Sequence, residues 1–271
     1  MPENLLVANL GEGWYLFPAV VAAGFVAGFV NTLAGSGSLI TLPLLIFMGL
    51  PATVANGTNR VAILVQNIVA VSSFRRQTIL DWRGGLSLAA PAAFGALLGA
   101  RIAVGLDDVM MERVIGALMV AMVGVILARP RRWMQTYTTD RQPRATAGRL
   151  LTFFAIGVYG GFVQAGVGIF LLAGLVMSAQ YDLLRGNAVK VLIVLCFTLV
   201  ALPVFVSNGQ VNWGIGLTLA IGNASGALVA ARTAAARGTA FVRWVLLGVL
   251  LFSAANLFGV FSAIGSWLGI S

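Results

Sequence analysis

Charged residues, histidine and cysteine are scarce in this chain of 271 residues. Only 9% of the residues are charged, whereas a soluble domain carries about 25%, and this scarcity excludes soluble enzymes and soluble nucleic-acid-binding proteins. Histidine is absent and Cys196 is the single cysteine, which excludes a disulfide within the chain and a zinc site built from cysteine and histidine. We therefore predict no cofactor, no metal and no nucleic-acid partner.

Long apolar runs fill most of the chain. Apolar residues make up 59% of it and the mean hydropathy is +0.97, which predicts an all-α polytopic membrane protein with 8–10 crossings. The start, residues 1–13, has two acids and no basic residue, so we do not expect a cleaved signal peptide. Two apolar segments are short and are predicted as half-helices or re-entrant pieces at least as readily as full spans, 36–50 and 167–180. The other apolar segments are 14–34, 52–74, 84–105, 111–128, 149–165, 187–206, 214–234 and 241–262.

The second half of the sequence resembles the first at a nearly constant offset. GALLGAR at 95–101 matches GALVAAR at 226–232, an offset of 131 that also pairs Asn56 with Asn187. The same offset pairs Asp81-Trp82 with Asn212-Trp213, so it holds through polar positions and not only through apolar ones. We therefore predict two repeats of about five apolar segments each. They are a first repeat at 14–128, a basic linker at 129–148 and a second repeat at 149–262.

Arginines in the loops predict the orientation. The linker is rich in arginine and contains one acid, Asp140, so it is predicted to be cytoplasmic, as are the basic loops near 75–83 and 237–243. The acidic loop at 107–112 then lies outside. Five crossings in each repeat would give the two halves opposite directions, with both termini outside. Inverted repeats are typical of secondary transporters, which bind substrate near the midplane where the repeats meet.

Each repeat has a glycine-bearing break between its first two segments, the first break at 31–38 and the second break at 164–168. A half-helix that begins at such a break directs its positive end towards whatever occupies it, which favours an anion. Other glycine pairs, Gly24/Gly28, Gly157/Gly161 and Gly95/Gly99, fit the pattern of close helix packing instead. The break residues predicted to bind substrate are Asn31, Gly35, Ser36, Gly37, Ser38, Gln164, Gly166 and Gly168.

The third segment of each repeat carries a cation, Arg60 in the first and Lys190, the single lysine, in the second. A charge at mid-membrane costs about 2.5–3.5 kcal/mol on insertion scales, so it usually marks a pathway or a partner. The alternative is that both cations reach an interface or bond backbone carbonyls. Polar residues share their helix faces, which favours a small anionic substrate. The face in the first repeat holds Asn56, Asn59, Arg60, Gln66 and Asn67, and the face in the second holds Asn187, Lys190 and Thr198. Of these, Asn56, Asn59, Arg60, Asn187 and Lys190 are predicted to bind substrate.

Residues 24–67, GFVAGFVNTLAGSGSLITLPLLIFMGLPATVANGTNRVAILVQN, resemble the sulfite exporter TauE/SafE family. GGFVQAGVGIFLL, LLRGNAVKVLI, GQVNW and GNASGALVAAR resemble the second repeat of that family. The resemblance implies a multi-pass permease of the bacterial inner membrane that exports sulfite, a sulfonate or a related organosulfur anion. Alternatives are a passive anion channel and an uptake permease. A serine and lysine enzyme would need a serine in a nucleophile motif near Lys190, and none is there, so we predict no enzyme. The expected partners are the anion and the lipid bilayer, and the glycine-rich faces are compatible with a homodimer.

Overall fold

A computed structural model describes residues 16–127 and 146–257, and all regular structure in these two ranges is α-helical. Of the predicted linker at 129–148, positions 129–145 lie outside the described residues. The segment 1–13 also lies outside them. The last helix is interrupted at Gly238, whose φ of 70° and ψ of −167° are not helical. The helices are α1 (Leu16–Ala34), α2 (Ser38–Phe47), α3 (Ala52–Arg76), α4 (Trp82–Val104), α5 (Asp108–Leu127), α6 (Ala147–Phe162), α7 (Val167–Met177), α8 (Leu183–Ser207) and α9 (Trp213–Leu257).

Local sequence explains where several helices begin and end. Gly35, after α1, and Gly166, before α7, have φ values of 77° and 68°, a left-handed conformation that costs glycine little and other residues more. Asp81 accepts a hydrogen bond from a backbone N–H in the first turn of α4, and Asp182 accepts two in the first turn of α8. These aspartates are N-caps that satisfy helix N–H groups without an intrahelical partner. The left-handed glycines and the helix bounds show that both breaks are true interruptions of the helix, as the sequence predicts.

Four helices of the described residues are long and apolar enough to cross a membrane, at 17–34, 82–104, 183–207 and 213–242. The helices α2 and α7 have only 10 and 11 residues, about half of the 20 or so that a bilayer requires. This confirms that both are short helices. α3 has 25 residues, but its polar face lowers its hydropathy. The chain is thus a multi-helix membrane protein, and its total number of crossings stays a prediction.

Helix packing follows the glycine pairs. α1 lies along α9, and α4 lies along α6. A Cβ added to Gly28 would lie 2.6 Å from Asn223 Cα, and one added to Gly161 would lie 2.6 Å from the Ala96 carbonyl carbon. Neither position has room for a side chain, so the interpretation of these glycines as close-packing residues is confirmed. α9 also packs on α3, α4 packs on α8, and α3 and α8 contact each other in the middle. Both cation-bearing helices are therefore central.

Candidate functional site

The two breaks meet in the centre of the protein. A Cβ added to Gly35 would lie 2.5 Å from Gly168 Cα, and one added to Gly168 would lie 2.9 Å from the Gly35 carbonyl oxygen. Backbone therefore touches backbone where the first break contacts the start of α7. Sequence spacing predicts both breaks but not this contact, because 133 residues separate the two glycines.

A small cavity lies beside this contact. Its volume is about 10 Å³, which is about the space that one water molecule needs. Ser38, the first residue of α2, and Val167 and Gly168, the first residues of α7, are part of its wall. The positive ends of two short helices thus face the same cavity. The remaining wall residues are Asn31, Ile63, Gln66, Asn67, Gln164, Lys190 and Val194.

Lys190 reaches this cavity from α8 and is 1% exposed. Its Nζ donates hydrogen bonds to the carbonyl oxygens of Asn31 and Thr32, at 3.0 and 2.8 Å, and to Asn187 Oδ1 at 2.7 Å. The two carbonyls lie at the C-terminal end of α1, where the helix dipole is negative and stabilises a cation. Three acceptors use all three N–H groups of an ammonium. Lys190 therefore supplies positive charge to the cavity while it holds the end of α1.

Arg60 makes the corresponding contacts from α3 and is fully buried. Its Nη1 donates to the Gly160 carbonyl oxygen at 3.1 Å, and its Nη2 donates to the Gly161 carbonyl oxygen at 2.6 Å. Both carbonyls lie in the last turn of α6, and the guanidinium stacks 4.3 Å from the centre of the Phe205 ring. Arg60 is not part of the cavity wall. Both cations therefore bond backbone carbonyls, and Lys190 in addition lies at the cavity wall. The substrate-binding role of each cation stays a prediction.

Side-chain amides connect the breaks to the central helices. Asn31 Nδ2 donates to Gln66 Oε1 at 3.3 Å, and Asn223 Nδ2 donates to the same oxygen at 3.2 Å. Gln164 Nε2 donates to Thr198 Oγ1 at 2.7 Å. Since offset 131 aligns Asn67 with Thr198, each break is bound by nearly the same position of the central helix that follows it. These bonds hold the two amides in place at the cavity.

Several buried polar atoms of the second break and of the central helices α3 and α8 have no hydrogen-bond partner. Among the described residues these include Gln164 Oε1, Asn187 Nδ2 and Asn59 Nδ2. Native proteins leave few buried polar groups unpaired, so each such group calls for a water or a ligand. Gln164 Oε1 is an acceptor of a cavity wall residue, whereas Asn187 Nδ2 and Asn59 Nδ2 are donors of residues outside the wall. Because Asn187 contacts Lys190, one unpaired donor lies next to a wall residue of the cavity.

The structure brings five of the predicted site residues to the cavity wall: Asn31, Ser38, Gln164, Gly168 and Lys190. The other eight are close in the chain but do not form the wall: Gly35, Ser36, Gly37, Asn56, Asn59, Arg60, Gly166 and Asn187. Asn56 donates to the Phe162 carbonyl oxygen at 2.9 Å, and Asn59 accepts from Thr41 at 2.7 Å. Gln66 and Asn67 belong to the cavity although only the helix-face pattern pointed to them. Sequence reasoning does not find Asn223, which donates to the cavity residue Gln66. The signal that could have found it is an asparagine within an apolar segment.

Comparisons with known proteins identify the family that the chain resembles over most of its length. The family model described as Sulfite exporter TauE/SafE matches residues 20–257. A probable membrane transporter protein of Sinorhizobium sp is 28% identical over 90% of this chain and 93% of its own length. One of Haemophilus influenzae is 26% identical over 84% of this chain and 89% of its own length. A third, from Escherichia coli (strain K12), is 23% identical over 91% of each. No solved structure matches.

Proposed function

Because the chain belongs to the sulfite exporter TauE/SafE family, we propose that it exports a small anion, such as sulfite, a sulfonate or a related organosulfur anion. Its relatives are named as probable membrane transporter proteins, so a membrane transporter is the general function. The bacterial inner membrane is the proposed location. The observation that carries the proposal is the contact of the two breaks beside Lys190.

The electrostatics of the cavity favour an anion over a cation. Lys190, whose Nζ donates three hydrogen bonds as an ammonium, provides positive charge, and the first turns of α2 and α7 provide partial charges. The wall, whose residues all belong to the described part of the chain, contains no aspartate or glutamate. An anion in this cavity would gain from the buried charge without a competing carboxylate. Asn31 and Gln164 add amide groups that can bind its oxygen atoms.

Reciprocal contacts between the halves support a site at the interface of two inverted repeats. Lys190 of the second half binds the end of α1, the first helix of the first half, while Arg60 of the first half binds the end of α6, the first helix of the second half. The helix packing shows the same relation, because α1 of the first half packs on α9 of the second, and α6 of the second half packs on α4 of the first. Such an exchange is what an approximate twofold relation between the halves produces.

The size of the cavity supports a carrier over a passive channel. Room for one water molecule is too little for a sulfur oxyanion. Binding therefore requires the breaks to move apart, and alternating access provides such a movement. A passive channel would need a continuous polar passage, and the closed contact between Gly35 and Gly168 interrupts one at this point.

Transport into proteoliposomes tests the proposal. The purified protein is reconstituted, and uptake of radiolabelled sulfite and of short sulfonates is measured against chloride and acetate. We expect saturable flux of the sulfur oxyanions, competition among them, and loss of flux in Lys190→Met. Arg101→Gln is the matched control, since Arg101 is an exposed cation away from the cavity. Flux no faster than in empty liposomes would refute the proposal, and single-channel currents would replace the carrier with a pore.

A further inference from the structure

A second cavity lies on the outside of the helix bundle, between the C-terminal end of α3 and the middle of α9. Its volume is about 380 Å³, far larger than that of the central cavity. Ile68 and Leu228 are part of its wall, and so are Arg76 and Arg232. None of these residues belongs to the wall of the central cavity. It is therefore a separate site.

The wall of this cavity changes from apolar to basic along the two helices. Ile68 lies two turns before Arg76 on α3, about 12 Å along the axis, and Leu228 lies one turn before Arg232 on α9. Arg76 and Arg232 are both exposed, and no hydrogen bond or ion pair joins either one to another described residue. The neighbouring Arg75 instead stacks over Trp82, 5.6 Å from the ring centre. Two free guanidinium groups thus lie at one end of a groove whose other wall residues are apolar or uncharged, namely Ile68, Val69, Ser72, Ser73, Gln77 and Leu228.

The basic end of the groove corresponds to the predicted cytoplasmic side. Arg76 belongs to the basic loop that the charge pattern assigns to that side. Anionic lipids in the cytoplasmic leaflet attract basic residues next to membrane helices. At offset 131, Arg232 aligns with Arg101 but Arg76 aligns with Ser207. The pair of arginines is therefore present at one end of the protein and has no counterpart at the other.

We propose that this groove binds one anionic phospholipid. The phosphate lies between Arg76 and Arg232, whose guanidinium groups suit a phosphate through paired N–H donors. An acyl chain lies along Ile68, Val69 and Leu228, which are partly exposed apolar residues of the groove. Pockets of basic residues between membrane helices are a recognised form of anionic lipid site.

Native mass spectrometry with defined lipids tests the proposal. The full-length protein in detergent is mixed with phosphatidylglycerol or phosphatidylcholine of the same acyl chains, and the bound fractions are compared. We expect a preference for phosphatidylglycerol that falls about fivefold with each of Arg76→Gln and Arg232→Gln. Arg101→Gln and Arg75→Gln are the matched controls and keep the preference. Inorganic phosphate and glycerol phosphate are added separately as competitors.

Each outcome decides the proposal. A preference that is lost only in the Arg76 and Arg232 variants supports it, as does failure of the two soluble phosphates to displace the lipid. An unchanged preference in the double variant overturns it. Displacement by millimolar inorganic phosphate also overturns it, because the site would then bind a free anion and not a lipid. A melting curve of each variant checks folding, and Arg76→Lys should restore part of the preference.

Discussion

Replacement of Gly168 by alanine should separate the two breaks. Its Cβ would lie 2.9 Å from the Gly35 carbonyl oxygen, and the reciprocal Cβ on Gly35 would lie 2.5 Å from Gly168 Cα. Carbon atoms pack at about 3.5–4.0 Å, so the backbones must move apart by about 1 Å. Neither contact can be relieved by rotation of a side chain, since both partners are backbone.

The size of the effect follows from this overlap. Forcing an extra methyl group into a packed site costs about 1–3 kcal/mol. A conformation in which the breaks have separated does not bear this cost. If transport alternates between closed and open states, the balance shifts away from the closed state by about 5–150-fold. We therefore expect the maximal transport rate of Gly168→Ala to fall at least about fivefold.

Two other glycines provide controls. Gly116 is an exposed residue of α5 with nothing within 4 Å of its Cβ position, so Gly116→Ala should leave transport unchanged and should not lower Tm. At the contact of α4 with α6, a Cβ on Gly99 would lie 2.7 Å from the Phe162 backbone nitrogen. Gly99→Ala should therefore lower Tm while each folded molecule still transports. Transport per folded protein and Tm are measured in the same proteoliposome and detergent preparations.

A wild-type rate in Gly168→Ala, with an unchanged Tm, would show that the breaks do not need to touch. An equal loss of transport per folded molecule in Gly99→Ala would show that any clash between helices has the same effect. Either result would refute the argument that the contact of the breaks has a particular role.

Two further predictions concern buried or capping polar groups. Lys190→Met and Arg60→Met both leave helix carbonyls unpaired and should lower Tm. Only Lys190→Met should weaken anion binding, by about tenfold, because it removes the Coulomb attraction of the charge at the cavity wall. Calorimetry measures the binding, and equal losses in the two variants would contradict the distinction. Tyr181 donates a hydrogen bond to Asp81 at 2.7 Å. The pKa of Tyr181 is raised, mainly by burial and secondly by this hydrogen bond. The protonated Tyr181 hydroxyl therefore contributes its full stabilisation below about pH 10, the pKa of tyrosine in the unfolded chain. This contribution declines as the pH rises further. Tyr181→Phe should lower Tm by the equivalent of about 1 kcal/mol at pH 7, and the difference should shrink above about pH 10; a constant difference would argue against the bond.

Sequence reasoning predicts the breaks because glycine marks them locally. Gly35 and Gly166 have the left-handed conformations that such positions require, and the short α2 and α7 follow them. The glycine pairs of α1 and α6 are equally readable, since small residues at a spacing of four mark close helix contacts. These features depend on a few neighbouring residues, so they can be found without knowing which helices pack together.

The partners of the cations could not be predicted in the same way. Arg60 and Lys190 have no nearby acid in the sequence, and a backbone carbonyl leaves no mark in the residue types. Their partners lie about 100 and 158 residues away along the chain. The distinction between Lys190 at the cavity and Arg60 away from it therefore depends on the packing of α3 against α8.

The central claim is that a small oxyanion binds where the two breaks meet. A structure with bound selenite, the heavier homologue of sulfite, tests it most directly, because the selenium atom can be located by anomalous scattering. The account predicts one selenium peak in the cavity beside the contact of Gly35 with Gly168, next to Lys190 Nζ, that disappears in Lys190→Met and persists in Arg101→Gln. A protein that transports the anion but shows the peak elsewhere, or shows it unchanged in Lys190→Met, would contradict the account.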